Sequence, residues 1–207
     1  AGGSPTPRCQ HTATWIQHNS KLVIVAGQSE TVTLKDVWSL DCTLQPPEWK
    51  EEKVIEHSSV QLQRSQHSAI EYKGNIYVFG GQDLNNGASL TKKQSNFVVL
   101  IYSQKGNKGG GHYDCSSFSN FKGTMPLERY GHSACRLKDK MFIFGGSLSA
   151  DHQPVRDLHS YDFIRKVWTK IEVQEKLLPS PTLSNGQSNT IALHAWPENT
   201  WYMQAST

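Results

Sequence analysis

The chain has 207 residues, a hydrophobic fraction of 36% and six tryptophans, enough apolar material to bury a core. Its net charge of +3 is the difference between 21 basic and 18 acidic residues. That is too slight for the electrostatic footprint of a nucleic-acid or membrane-surface binder, and neither partner is expected. No stretch approaches the ~18 consecutive apolar residues of a membrane span, and Ala1-Gly2-Gly3-Ser4-Pro5 lacks both parts of a signal peptide, so a cytosolic or nuclear location is expected. Cys9, Cys42, Cys115 and Cys135 are scattered without a CxxC, which favours reduced structural thiols over disulfides.

After Pro5-Thr6-Pro7, an Arg-x-x-His opening (Arg8, His11) leads through a turn into the apolar run Leu22-Val23-Ile24-Val25 and the small doublet Ala26-Gly27. A polar segment follows, residues 28–34, and then a strand opened and closed by aspartate, from Asp36 to Asp41. Trp49 stands 22 residues beyond Gly27. The second copy opens at Arg64 and His67, alternates to Tyr72, turns at Lys73-Gly74-Asn75, and runs Ile76-Tyr77-Val78-Phe79 into Gly80-Gly81. That pattern predicts a hairpin whose second strand is central and covered on both faces.

Residues 82–125 hold no tryptophan and lose the Asp-to-Asp strand. Residues 96–102 offer a strand, and the run Lys105-Gly106-Asn107-Lys108-Gly109-Gly110-Gly111 follows it. The second unit is therefore expected to be incomplete or interrupted by a long insertion at about 84–122. Openings spaced 56 and 65 residues apart, above the usual ~50, support that expectation.

The third copy begins after Met125-Pro126. It has Arg129 and His132, the turn Lys138-Asp139-Lys140, Met141-Phe142-Ile143-Phe144 and Gly145-Gly146, then Asp157 to Asp162 containing Tyr161. Trp168 again lies 22 residues beyond the doublet. Past Pro179-Ser180-Pro181, Gly186-Gln187-Ser188 matches Gly131-His132-Ser133, and residues 191–203 suit the first hairpin of a fourth copy. Each unit reads as four short strands that cannot bury both faces alone.

These residues resemble the kelch repeat family over roughly residues 5–172. The resemblance implies an all-β, kelch-type β-propeller fragment of about three blades plus part of a fourth. The blades are expected at 1–52, 53–125 with the insertion, 126–178 and 179–207, with the remaining propeller blades expected from the parent chain. The segment Ala26-Gly27, Leu34-Lys35-Asp36-Val37-Trp38, Trp49-Lys50-Glu51 is similar to blades of the leucine-zipper-like regulator class and, less closely, of the host cell factor class. Structural roles fall to Gly27, Trp49, Gly80, Gly81, Gly145, Gly146, Tyr161 and Trp168. The tryptophans are expected to pack between blades, and the glycines to allow positive φ or a close backbone approach.

No catalytic residue, metal ligand or cofactor is expected. His11, His67 and His132 occupy equivalent positions in successive units, which favours a structural role over zinc. A copper radical oxidase of the galactose-oxidase type is the alternative that His112, Tyr113 and Cys115 suggest, but a glycine-rich insertion is a poor platform for a rigid site. Gly145-Gly146-Ser147-Leu148-Ser149 fails the Gly-x-Ser-x-Gly elbow, and the 105–111 run lacks the ending and the helix of a phosphate loop.

The function expected is a non-enzymatic protein-interaction module, in its finer form the substrate-recognition part of a ubiquitin-ligase adaptor, with an actin-binding scaffold as a further alternative. In kelch adaptors of that class, the positions between the arginine and the histidine face the ligand rim. The resemblance thus implies a partner-binding rim at Cys9-Gln10, Ser65-Gln66 and Tyr130-Gly131, shared by residues 28–34, 82–90 and 147–155.

Overall fold

The structure is a computed structural model that describes residues 3–57, 60–86, 96–104 and 111–172, together with the backbone of two further strands at 190–195 and 201–206. Its contacts divide it into two compact units, Ala1–Ser119 and Asn120–Thr207. Among the described residues, no helix is long and apolar enough to cross a membrane.

The first unit holds two sheets. In the first, β1 (Thr12–Ile16), β2 (Lys21–Gln28), β3 (Thr33–Asp41) and β4 (Glu48–Glu52) pair antiparallel in sequence order. The second contains β5 (Val54–Glu56), β6 (Ser68–Tyr72), β7 (Asn75–Phe79), β8 (Phe97–Ser103) and β9 (His112–Ser117), in the order β5-β9-β8-β7-β6. Lys73 and Gly74 both take positive φ in the β6–β7 turn, the backbone that matches the twist of a two-residue hairpin.

The second sheet departs from the sequence expectation. Where a long insertion was expected, β8 and β9 supply its third and fourth strands, and β5 adds a fifth, parallel to β9. Register shows why the pattern was hidden. Leu22, Leu40 and Trp49 align across the first sheet, as Ile76, Leu100 and Cys115 do across the second. Cysteine thus stands in the tryptophan's place, and Asn96, just before β8, stands at the position that Asp36 holds within β3. His112, Tyr113 and Cys115 lie on β9, not on a loose insertion.

In the second unit, β11 (Ser133–Leu137), β12 (Lys140–Phe144), β14 (Leu158–Asp162) and β15 (Val167–Ile171) make the third four-stranded antiparallel sheet. A small ladder joins β10 (Arg129–Tyr130) to β13 (Ser147–Leu148). The last strands, β16 (Thr190–Ala195) and β17 (Trp201–Ser206), form an antiparallel hairpin with β16 beside β11, the beginning of a fourth blade. The 186–188 match and the 179–181 linker fall outside the described residues, as do residues 105–110. This is an all-β, kelch-type propeller architecture: three blade sheets and part of a fourth.

Period-two alternation sets the packing. Val23, Val25 and Val37 leave one face of the first sheet and meet Ile76, Val78, Val98, Leu100 and Cys115 from the second in one apolar core. Each such valine, at 0% exposure, is worth roughly 1.5–3 kcal/mol of burial. The other face of the second sheet is aromatic, with Phe118 5.5 Å from Tyr77 and 5.4 Å from Phe97 between ring centroids.

Candidate protein-interaction rim

The repeated opening is built by one small set of interactions. Arg8, Arg64 and Arg129 each donate from Nη1 to the carbonyl of the first doublet residue, Ala26, Gly80 or Gly145, at 2.9–3.1 Å. In the first and third sheets the same guanidinium forks an aspartate at equivalent positions, Asp36 within β3 and Asp157 just before β14. Arg8 reaches Asp36 at 2.6 and 2.8 Å, and Arg129 reaches Asp157 at 2.5 and 3.0 Å. Burial alone would raise both carboxyls, but the bonds from Arg8 and Trp38 to Asp36, and from His159 and Arg129 to Asp157, outweigh it and hold both below the usual carboxylate range.

The second sheet solves the problem without a carboxylate. Arg64 is fully buried and spends its donors on the carbonyls of Leu62, Gly80 and Gln61. Burial lowers its pKa to about 10. Asn96 is 1% exposed, and neither its Oδ1 nor its Nδ2 has a partner among the described residues.

The residue after each arginine pairs back to the residue after the doublet. Cys9 bridges to Gln28, Ser65 to Gln82, and Tyr130 pairs with Ser147. The next position is left-handed every time, with φ of 56° at Gln10, 56° at Gln66 and 65° at Gly131. The doublets are left-handed as well, Ala26 included. The opening lies so close that a Cβ on Gly146 would sit 2.7 Å from the Tyr130 carbonyl and 2.8 Å from the His132 Cβ, and one on Gly27 2.7 Å from the His11 Cβ. This packing is why a small-residue doublet and an Arg-x-x-His opening travel together in the sequence.

Not every rim candidate presents a side chain. Cys9, Gln10 and Gly131 are exposed, and Gln66 and Tyr130 are half-buried. Ser65 is 0% exposed, so it shapes the rim through its backbone. Tyr130 Oη meets His152 Nδ1 at 2.9 Å on the loop at 147–155. Within the first unit the rim loops are fastened to each other. Thr33 N–H donates to Asn85 Oδ1 at 3.1 Å, Leu84 N–H to Thr33 Oγ1 at 3.1 Å, and Asn85 Nδ2 to the Thr33 carbonyl at 3.3 Å. The neighbours of this clasp, Val32 and Leu84, are 45% and 48% exposed. Gln66 N–H also donates to the Gln10 carbonyl at 3.0 Å, joining the two openings. The clasp had no signal in the sequence, because Thr33, the first residue of β3, and Asn85, in the turn at 84–86, are 52 positions apart and follow no shared pattern.

Trp168 is 2% exposed and packs against Tyr161 of its own sheet, the rings tilted by 47° with centroids 4.9 Å apart, whereas Trp49 is half-buried. Tyr113 and Cys115 point into the core, and burial pushes the Cys115 thiol up to about 12. His112 lies 3.3 Å from Asp114, which also accepts from His57 and Ser103. Among the described residues, no group of three or more His, Cys, Asp or Glu is placed to hold a metal ion. A cleft of about 450 Å³ by β3 and β4 is lined by Asp36, Glu52 and Glu56, each already accepting a protein hydrogen bond.

Residues 1–105 match the KLHDC2/KLHL20/DRC7 Kelch-repeats domain, and residues 128–172 match the Kelch motif. Similar proteins include leucine-zipper-like transcriptional regulator 1 of Homo sapiens, 32% identical over 174 residues, which are 83% of this chain and 19% of that protein. Adagio protein 3 of Arabidopsis thaliana is 33% identical over 158 residues, 74% of this chain and 24% of the relative. Ras guanine nucleotide exchange factor F of Dictyostelium discoideum is 32% identical over 108 residues, 52% of this chain and 8% of the relative. The chain therefore spans under a quarter of the length of these relatives. With three clamped doublets and matches along most of its length, the chain belongs to the kelch-repeat family, whose domains are generally non-catalytic interaction modules.

Proposed function

We propose that this chain is a non-enzymatic module that recognises a protein partner through the rim formed by the Arg-x-x-His openings and the loops after the doublets. The observation that carries it is the clasp between Thr33 and residues 84–85, which ties two rim segments together by three hydrogen bonds while leaving the aliphatic side chains of Val32 and Leu84 in water. Preordered loops lose little entropy on docking, and fixed apolar anchors beside polar backbone suit a protein surface. The finer form of this reading is substrate recognition in a ubiquitin-ligase adaptor, supported by the resemblance of the opening positions to the ligand rim of that kelch class. It takes the remaining propeller blades from the same polypeptide, and the cytosol or nucleus as its location, in keeping with four free cysteines.

Affinity capture with the full polypeptide tests the reading. Val32→Asp with Leu84→Asp should cut recovery of the partner by about tenfold or more, since truncated anchors dominate such losses. Lys73→Glu, at the far end of the β6–β7 hairpin, should leave recovery unchanged. Equal recovery by all three proteins would contradict the rim, and unchanged ubiquitin conjugation of a captured partner by the rim variant would contradict the adaptor form alone.

A further inference from the structure

We propose that Thr6 is a phosphorylation site for a proline-directed protein kinase, and that Arg8 holds the phosphate once it is attached. The proposal goes beyond the reading above and does not rest on it.

The segment has the form of a kinase acceptor. Thr6 is exposed, and residues 3–7 lie outside every helix and strand of the first unit. Pro7 follows, and a proline biases the residue before it toward extended backbone while carrying no N–H of its own. A kinase that leaves the amide after the acceptor unbonded loses nothing to proline there, which is the chemistry of the proline-directed class.

The second observation is a cation already in place. Arg8, Arg64 and Arg129 each donate from Nε to the carbonyl two residues earlier, that of Thr6, Leu62 or Leu127, at 3.1, 3.3 and 3.1 Å. Of these three positions only Thr6 carries a hydroxyl, and Arg8 Nη2 donates to its Oγ1 at 3.2 Å. The five guanidinium hydrogens are thereby all engaged, one on the Thr6 carbonyl, one on the Ala26 carbonyl, two on Asp36 and one on the Thr6 hydroxyl. Phosphorylation turns that hydroxyl into an ester oxygen and sets three strong acceptors beside it. The hydrogen that serves the hydroxyl passes to a phosphate oxygen, and the fork on Asp36 stays. Asp36 has a donor besides Arg8, Trp38 Nε1 at 2.8 Å, so it tolerates a second anion on the far side of the guanidinium.

The step is a phosphoryl transfer from ATP. A bond forms between Thr6 Oγ1 and the γ-phosphorus, the bond from that phosphorus to the β,γ-bridging oxygen breaks, ADP leaves, and the hydroxyl proton is taken by the kinase's base and released to solvent. The product adds a charge of about −1.5 to −2 beside the first opening, held by Arg8. Ser4-Pro5 repeats the dipeptide just upstream, but the bonds of Arg8 run to Thr6. Ser4 is thus the internal reference.

Phosphorylation of the full polypeptide, followed by ³¹P NMR, tests both parts. The protein and its Thr6→Ala variant are incubated with MgATP and a proline-directed kinase of the mitogen-activated class, and fragment-ion mass spectrometry locates the phosphates. Thr6 should be modified, and Pro7→Ala should abolish that modification. The ³¹P signal missing from Thr6→Ala is then titrated in the folded protein and in urea. The Thr6 phosphate should bind its second proton about tenfold more weakly in the folded protein, the effect of one charge-assisted bond, whereas a phosphate on Ser4 should titrate alike in both. Absence of phosphate from Thr6, with or without phosphate on Ser4, would overturn the site. Equal proton affinity of the Thr6 phosphate in the folded and unfolded protein would overturn the role of Arg8. Partner capture enters neither readout, so failure here leaves the functional reading standing.

Discussion

Arg129 grips Asp157 with both terminal nitrogens, at 2.5 and 3.0 Å, while the same Nη1 holds the Gly145 carbonyl at 3.1 Å. One guanidinium thus ties together the opening of the repeat, the doublet and the start of the third strand. Asp157→Asn keeps the shape and removes the charge, leaving a cation that is 1% exposed without its counterion. Breaking a buried pair on one side costs about 3–5 kcal/mol, and with Asp157 26% exposed a loss of about 2–4 kcal/mol is expected. Urea unfolding followed by tryptophan fluorescence measures it, and a midpoint unchanged from the parent would reject the clamp.

In the second sheet the opposite experiment is available. Asn96 stands in the aspartate's place with neither side-chain atom partnered among the described residues, at a position that in the other sheets feeds an arginine. Asn96→Asp should restore a counterion to Arg64 and raise stability by about 1–2 kcal/mol near pH 7, the size of a charge-assisted bond. A lowered melting temperature would show that the carboxylate cannot reach Arg64 and is left desolvated.

Burial, with a smaller contribution from Arg129, lowers the His132 pKa from 6.5 to about 3. The unfolded chain takes up a proton below pH 6.5 that the folded chain refuses, so stability present above that pH is lost as the pH falls toward 3. By pH 5 the loss from this group is about 2 kcal/mol. Asp157, depressed in its turn, loses its contribution only below the ordinary carboxylate range. His132→Gln should therefore flatten the stability profile between pH 7 and 5, partially, because His11 is shifted the same way by burial and Arg8. An unaltered slope in the variant would mean the ring titrates freely.

Gly146 is left-handed at φ 85°, and an added methyl would overlap the Tyr130 carbonyl and the His132 Cβ, whereas at Gly145 the nearest atom is the Val155 carbonyl at 3.3 Å. Gly146→Ala should cost about 2–3 kcal/mol, and Gly145→Ala about 1 kcal/mol, from strain alone. Thermal unfolding of the two variants side by side checks the order, and a reversed order would contradict the close packing of opening on doublet.

Much of this was legible in the sequence for a physical reason. A sheet that must bury both faces needs continuous apolar central strands, such as Val23 to Val25 and Ile76 to Phe79, and these are read from periodicity. The doublets and their arginines were equally visible, since few residues tolerate left-handed backbone under a close neighbour. The second sheet's outer strands were hidden because Asn96 and Cys115 fill their places with neither the charge nor the bulk of their equivalents. β5 was hidden because three residues of a connector carry no period. The rim was legible only in outline. Ser65 was expected on the rim yet is buried, and the Thr33–Asn85 clasp depends on the start of β3 meeting a turn 52 positions away in space.

The central claim, recognition of a protein through the loop rim, is tested most directly by hydrogen exchange of the chain bound to its captured partner. The account predicts new protection at residues 28–34 and 82–86 of the first unit and unchanged exchange at that unit's far hairpin turns, 17–20 and 73–74. Protection confined to those turns would contradict it.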